Sequence, residues 1–133
     1  MTEIIKVLAI DDNPAFVNLL RHLLSEAEGV EIDLESADEL TSGLERLEEG
    51  RIDVVLLDIL LPDSRGFDSF GSVHSQMPDV PVIILSGIDD EVLALKMVRD
   101  GAQDYLVKGE TDSKELVRTI RCAIERTKGA SEG

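Results

Sequence analysis

Short apolar runs and longer amphipathic runs alternate five times along the 133 residues of this chain, and few folds satisfy that order. Ile4 to Ile10 (IIKVLAI) is the first apolar run and predicts a strand. Pro14 suits the first turn of a helix, and Phe16, Leu20, Leu23, Leu24 and Ala27 follow at helical spacing until Gly29. Val30 to Leu34 (VEIDL) alternates apolar and polar residues, as a strand with one wetter face or at a sheet edge would. Asp38 to Glu49 places Leu40, Leu44 and Leu47 on one helix face, and Gly50 ends it. Ile52 to Leu57 and Val80 to Leu85 are almost continuously apolar, the pattern of strands buried on both faces, with Pro81 near a strand start where a missing N–H is tolerated. Phe67 to Met77 predicts a short helix weakened by Gly71. Asp89 or Asp90 can cap a helix reaching about Arg99, which Gly101 stops. Asp104 to Val107 is a brief strand, and Asp112 or Ser113 can cap a last helix carrying Leu116, Ile120 and Ile124. Five β–α pairs in strict alternation predict an α/β domain: a parallel sheet with helices on both faces, joined by right-handed crossovers. Periodicity leaves the strand order open.

The length fits one domain, expected over residues 1–128, with 129–133 as a loose, flexible tail. Apolar residues make up 43% and charged residues 31%, a globular balance. No apolar run approaches the ~20 residues that span a bilayer, and the first residues lack a secretory signal pattern. The single cysteine, Cys122, cannot form an internal disulfide and is expected in the core or an interface. These features point to the cytoplasm and away from membranes. His22 and His74 lie in predicted helices and are expected to be solvated. A net charge of −15 should repel a phosphate backbone, which argues against direct nucleic-acid binding. The charge is uneven. Asp112 to Lys128 holds five bases and three acids, a net +2, so the rest carries −17 of the −15 total. That stretch is either a solvated helix face or a surface for a partner.

In an open parallel sheet, ligands sit beyond the carboxyl ends of the strands. The residues there are Asp11-Asp12 after the first strand, Asp58 after the third, Ser86-Gly87 after the fourth and Lys108 after the fifth. Three crowded carboxylates repel one another, and a divalent cation relieves them. Magnesium suits the set, because it takes oxygen ligands, keeps several waters and partners phosphoryl groups. Lys108 adds a point charge for an anion. The constellation reads as one built to receive a phosphoryl group on a carboxylate. Asp11 and Asp12 could instead cap the first helix, and Tyr105 could be a half-buried strand aromatic.

Four segments, each at a strand end, carry a resemblance: Ala9-Ile-Asp-Asp-Asn13, Leu56-Leu-Asp-Ile-Leu-Leu-Pro-Asp-Ser-Arg-Gly66, Leu85-Ser-Gly87 and Gly101-Ala-Gln-Asp-Tyr-Leu-Val-Lys108. Together the chain resembles the receiver domain of two-component response regulators, from Ile5 to about Arg126. The resemblance implies a flavodoxin-like, doubly wound sheet of five parallel strands in the order 2-1-3-4-5 with five helices. It implies Asp58 as phosphoacceptor. It also implies a Mg2+ site made by Asp11, Asp12, Asp58 and the backbone carbonyl of Leu60. Lys108 would pair with the phosphoryl oxygens. Ser86 and Tyr105 would be the switch pair, and Gly87 the small position that keeps the pocket open. The implied partners are a sensor histidine kinase or phosphotransfer protein, as donor, and a downstream output domain or protein. The implied assembly is a monomer or a phosphorylation-dependent homodimer. Such a chain is its own substrate and not a turnover enzyme.

Two departures stand out. Gly109 follows Lys108 where the family usually has proline after a cis bond; a trans bond or a strained exception is expected here. Leu60 and Ile88, two residues beyond Asp58 and Ser86, are apolar where relatives can place a hydrolytic water with polar side chains. Two other readings compete. A degenerate receiver would bind partners without phosphorylation, but all six site residues are present. A hydrolase passing through an aspartyl phosphate would resemble a different motif, with two acids separated by one residue, and would need room for a substrate-covering cap.

Overall fold

The structure is a computed structural model that describes residues 3–132, with side chains in that span other than those of 65–67 and 129–132. Five strand–helix pairs follow one another: β1 Glu3–Ile10, α1 Pro14–Ser25, β2 Val30–Ala37, α2 Leu40–Glu48, β3 Val54–Asp58, α3 Gly66–Gln76, β4 Val82–Ser86, α4 Glu91–Arg99, β5 Asp104–Val107 and α5 Ser113–Glu132. Between β3 and α3 lies a small antiparallel ribbon, Leu60–Leu61 against Ser64–Arg65. The main sheet is parallel throughout, in the order β2-β1-β3-β4-β5. It is the flavodoxin-like arrangement that the resemblance implies.

Both sheet faces are covered because side chains alternate along each strand. Val7, Ala9, Val54, Leu56, Ile83 and Leu85 point to one face, where α1 lays Phe16, Leu20 and Leu24 and α5 lays Leu116, Ile120 and Ala123. Leu8, Ile10, Val55, Leu57, Val82 and Ile84 point to the other. There α2 brings Leu40 and Leu47, α3 brings Phe70 and Val73, and α4 brings Met97. At Gly43 the backbone of α2 comes so close to β1 that an added Cβ would lie 2.5 Å from Ile10 Cδ1, so only glycine fits there without displacing the core.

Several local expectations change. Asn13, not Asp11 or Asp12, caps α1: its Oδ1 accepts from the N–H groups of Ala15 (3.0 Å) and Phe16 (3.3 Å), next to Pro14 at the helix start. Asp90 caps α4 and Asp112 caps α5. The last helix does not stop before the expected tail. It runs to Glu132. Cys122 is exposed rather than in the core, one residue off the buried Leu116–Ile120–Ala123 stripe. His22 is exposed as expected, whereas His74 is half-buried and stacks on Phe70 at 5.3 Å. Among the described residues no helix is long and apolar enough to cross a membrane.

Candidate functional site

The strand register assembles the site. Ile10 is level with Leu57 of β3, so Asp11 and Asp58 are the next residues on neighbouring strands. Asp58 is level with Leu85, which puts Ser86 one step beyond it, and Ser86 is level with Val107, which puts Lys108 one step beyond that. The N–H of Lys108 donates to Ser86 O at 2.8 Å and carries the ladder one residue past β5. The strand order reverses between β1 and β3, so the crevice at their carboxyl ends is where an open sheet of this kind binds its ligand.

Asp11 and Asp58 are buried there, at 5% and 6% exposure, while Asp12 stays exposed. One carboxylate oxygen from each of the three lies within 4.8 Å of the others, close enough to share a single cation. Lys108 Nζ sits 2.7 Å from Asp11 Oδ2 and 3.1 Å from Asp58 Oδ2, with the Phe16 ring 4.3 Å away on its other side. The other Asp58 oxygen, Oδ1, accepts from the N–H of Leu60 at 3.0 Å, and Asp11 Oδ1 accepts from the N–H of Asn13 at 2.9 Å.

Burial pushes the Asp58 carboxyl above its ordinary value, against the pull of the Leu60 amide and Lys108. Burial also works to lower the Lys108 ammonium, but Asp11 and Asp58 outweigh it, and the net shift is upward. The result is a firmly cationic lysine beside a carboxylate whose charge is poorly solvated, an arrangement that gains from a cation and then an anion.

Ser86 is fully buried, and its Oγ accepts from the N–H of Ile88 at 3.0 Å. The Tyr105 hydroxyl donates to the carbonyl of the same residue at 2.9 Å. The two expected switch residues therefore meet through the Ile88 backbone and not at the carboxylates. At Gly87, next to Ser86, an added Cβ would find no atom within 4 Å. Leu60 and Ile88, two residues beyond Asp58 and Ser86, are 48% and 43% exposed. No peptide bond among the described residues is cis, and Gly109 has φ +86°, a backbone conformation closed to proline with its φ of about −65°. The loop after Lys108 thus follows a path that the usual proline could not take.

Sequence reasoning missed two residues around the site. Phe16 reads as a core residue of α1, and nothing local shows that its ring lies against Lys108. Asp63 reads as a turn residue, yet its carboxylate accepts from the N–H groups of Leu40 and Thr41, at 2.8 and 2.9 Å, across more than twenty residues. No sequence signal marked it, because Asp38 stands ready as a favoured cap, and only the structure shows that α2 starts one residue later, at Leu40, with Glu39 making no side-chain cap.

Comparison with known proteins places the family and the fold. The family model described as "Response regulator receiver domain" matches residues 7–121. The transcriptional regulatory protein CpxR of Escherichia coli is 34% identical over 122 residues, which are 92% of this chain and 50% of CpxR. A receiver-domain crystal structure from Clostridium thermocellum superposes with TM-score 0.81 at 32% identity, covering 93% of this chain and 97% of that one. The beryllofluoride-activated NtrC4 receiver-domain dimer, solved in solution, superposes with TM-score 0.77 at 29% identity over 92% and 98% of the two chains. The chain spans about half or less of the length of the curated relatives it matches. A doubly wound sheet with an acid–lysine cluster at its switch point, matched by a family model over most of its length, makes this chain a member of the response regulator receiver-domain family.

Proposed function

We propose that this domain takes a phosphoryl group from a sensor kinase or phosphotransfer phosphohistidine onto Asp58, and that the acyl phosphate alters a protein-binding surface. The observation that carries the reading is the convergence of Asp11, Asp12, Asp58 and Lys108. An Asp58 carboxylate oxygen attacks phosphorus, the P–N bond of the donor breaks, and its imidazole leaves with the electron pair. Lys108, already 3.1 Å from Asp58, stays beside the transferred group and balances its charge. Asp11, Asp12, Asp58 and the Leu60 carbonyl would hold Mg2+. When bound, the ion neutralises charge on the phosphoryl oxygens. The protein is its own substrate, so this is a phosphoacceptor and not a turnover enzyme.

The switch reading is supported by the shared contact at Ile88. If the Ser86 hydroxyl turns towards a phosphoryl oxygen, it releases the Ile88 N–H, and Tyr105, which holds the Ile88 carbonyl, is freed to move with it. The surface so altered comprises residues 89–128, including the net-positive stretch from Asp112 to Lys128. Output passes to a downstream domain or protein, in the cytoplasm, and phosphorylation-dependent pairing of two copies is consistent with the dimer seen for the NtrC4 receiver.

Incubation with acetyl phosphate or phosphoramidate and Mg2+ should add one phosphoryl mass. EDTA or Asp12→Ala should suppress it, and Asp58→Asn should abolish it. Undiminished labelling of Asp58→Asn would sink the assignment.

A further inference from the structure

The ribbon between β3 and α3 carries Leu60, whose N–H donates to Asp58 Oδ1. Leu60 pairs with Arg65 and Leu61 with Ser64, so Pro62 and Asp63 form the two-residue tip. Three ties hold this ribbon. Leu61 is buried in the core beneath it. Ser64 is joined hydroxyl to hydroxyl, at 2.8 Å, with the fully buried Ser69 of α3. The third tie is Asp63, which reaches to α2: Oδ1 accepts from Leu40 N at 2.8 Å, and Oδ2 accepts from Thr41 N at 2.9 Å and from the Thr41 hydroxyl at 2.8 Å. Helix α2 needs that partner, since Glu39 at its cap position makes no side-chain cap.

A helix that borrows its cap from a loop constrains the loop as much as the loop constrains the helix. Both oxygens of Asp63 are engaged, which leaves the ribbon tip little freedom to twist. Two residues on each side of that tip set where the Leu60 backbone lies relative to Asp58. We propose that Asp63 is a positioning residue for the cation site: by clamping the ribbon to α2 it holds the Leu60 backbone in place beside Asp58. This rests on the phosphoacceptor reading, in which that backbone and Asp58 share a cation. Asp63 touches no reacting atom.

The test separates a clamp from a simple cap. Asp63→Ala removes both roles. Adding Glu39→Ser supplies α2 with a local cap and leaves the clamp broken. Mg2+ affinity is measured by calorimetry and stability by thermal unfolding without Mg2+. Amide exchange at Thr41 reports the cap, and at Leu40 the Asp63 contact alone. Asp63→Ala is expected to weaken Mg2+ binding by up to about tenfold, the loss seen when a group bonded directly to a metal ligand is removed, because Asp63 acts on the ligand through the ribbon. The double variant should recover the melting temperature and the protection of Thr41, the second residue of the helix, which an N-cap serine can reach, but neither the protection of Leu40 nor the Mg2+ affinity. Asp63→Asn, which keeps one acceptor oxygen, should fall between parent and alanine, and it serves if Asp63→Ala does not fold. Recovery of Mg2+ affinity along with stability in the double variant, or parent-like affinity in Asp63→Ala or Asp63→Asn, would overturn the proposal and leave a helix cap. A parent chain that binds no Mg2+ would instead overturn the phosphoacceptor reading, and the clamp with it.

Discussion

Helices α1 and α4 both start from the carboxyl edge of the sheet, yet they are held very differently. In its twelve residues α1 has two capping hydrogen bonds from Asn13 and buries Phe16, Val17, Leu20 and Leu24. The nine residues of α4 have one capping bond from Asp90 and bury only Met97, while Val92, Leu95 and Val98 are 77%, 54% and 45% exposed. Local stability follows the number of buried anchors, so α1 belongs to the fixed frame and α4 to the part that can shift at low cost. The site lies between them: Lys108 rests against Phe16 of α1, and the Ser86–Ile88–Tyr105 contacts lead to the start of α4.

The largest effect that sharpens this contrast is on stability. Leu20→Ala should cost about 2–5 kcal/mol, as for other fully buried leucines, whereas Val92→Ala should stay within about 0.5 kcal/mol. Urea unfolding measures both, and similar losses would mean that α4 is packed as firmly as α1.

A second contrast, between Asp58 and Asp63, predicts opposite pH dependences. Burial holds Asp58 above the ordinary carboxyl value of 3.8, so its contribution to stability is full below that value and lost as pH rises through the folded pKa. The Thr41 and Leu40 amides hold the exposed Asp63 below 3.8, so its contribution is present above that value and lost as pH falls through the folded pKa. In EDTA at neutral pH, Asp58→Asn should therefore melt above the parent, with Lys108 still paired to Asp11, and Asp63→Asn should melt below it. Both differences should shrink as the pH is lowered past 4. Shifts of the same sign at neutral pH would contradict the contrast.

Third in size is the response to a phosphoryl mimic. Beryllofluoride should move amide NMR signals throughout residues 89–128 and leave the buried face of α1 nearly unchanged, provided the bound group favours one conformation over the other. Changes restricted to the loops around Asp11 and Asp58 would leave α4 without a switching role.

The smallest effect concerns phosphoryl lifetime. Leu60 and Ile88 follow Asp58 and Ser86 by two residues, are partly exposed, and offer no side-chain donor or acceptor to an attacking water. Replacing them together (Leu60→Asn, Ile88→Glu) should speed dephosphorylation about tenfold, less than the ~10²–10⁴-fold that a fully positioned acid–base group supplies. An unchanged or slower loss of phosphate, followed without a phosphatase, would show that these side chains do not set the lifetime.

Hydrophobic periodicity in the sequence was enough to establish five strand–helix pairs, because a repeat of two or 3.6 residues depends only on near neighbours. It also put Asp11, Asp58, Ser86 and Lys108 at strand ends, since each follows directly on an apolar run, with Asp12 one residue further. The Asn13 cap sits just before Pro14, but Asp11 and Asp12 offered equally favoured cap residues and the sequence alone did not choose among them. Strand order was not legible either, and it came only through resemblance, because which strands pair depends on how the chain closes over long distances. The same holds for the Phe16 ring against Lys108 and for the Asp63 clamp on α2. Those contacts join residues far apart in sequence, and neither partner carries a local mark of the other. The sequence by itself thus determined which groups stand at the edge of the sheet. Only the tertiary structure decided what holds them there, because packing and capping across the fold are satisfied by whichever group the folded chain brings within reach.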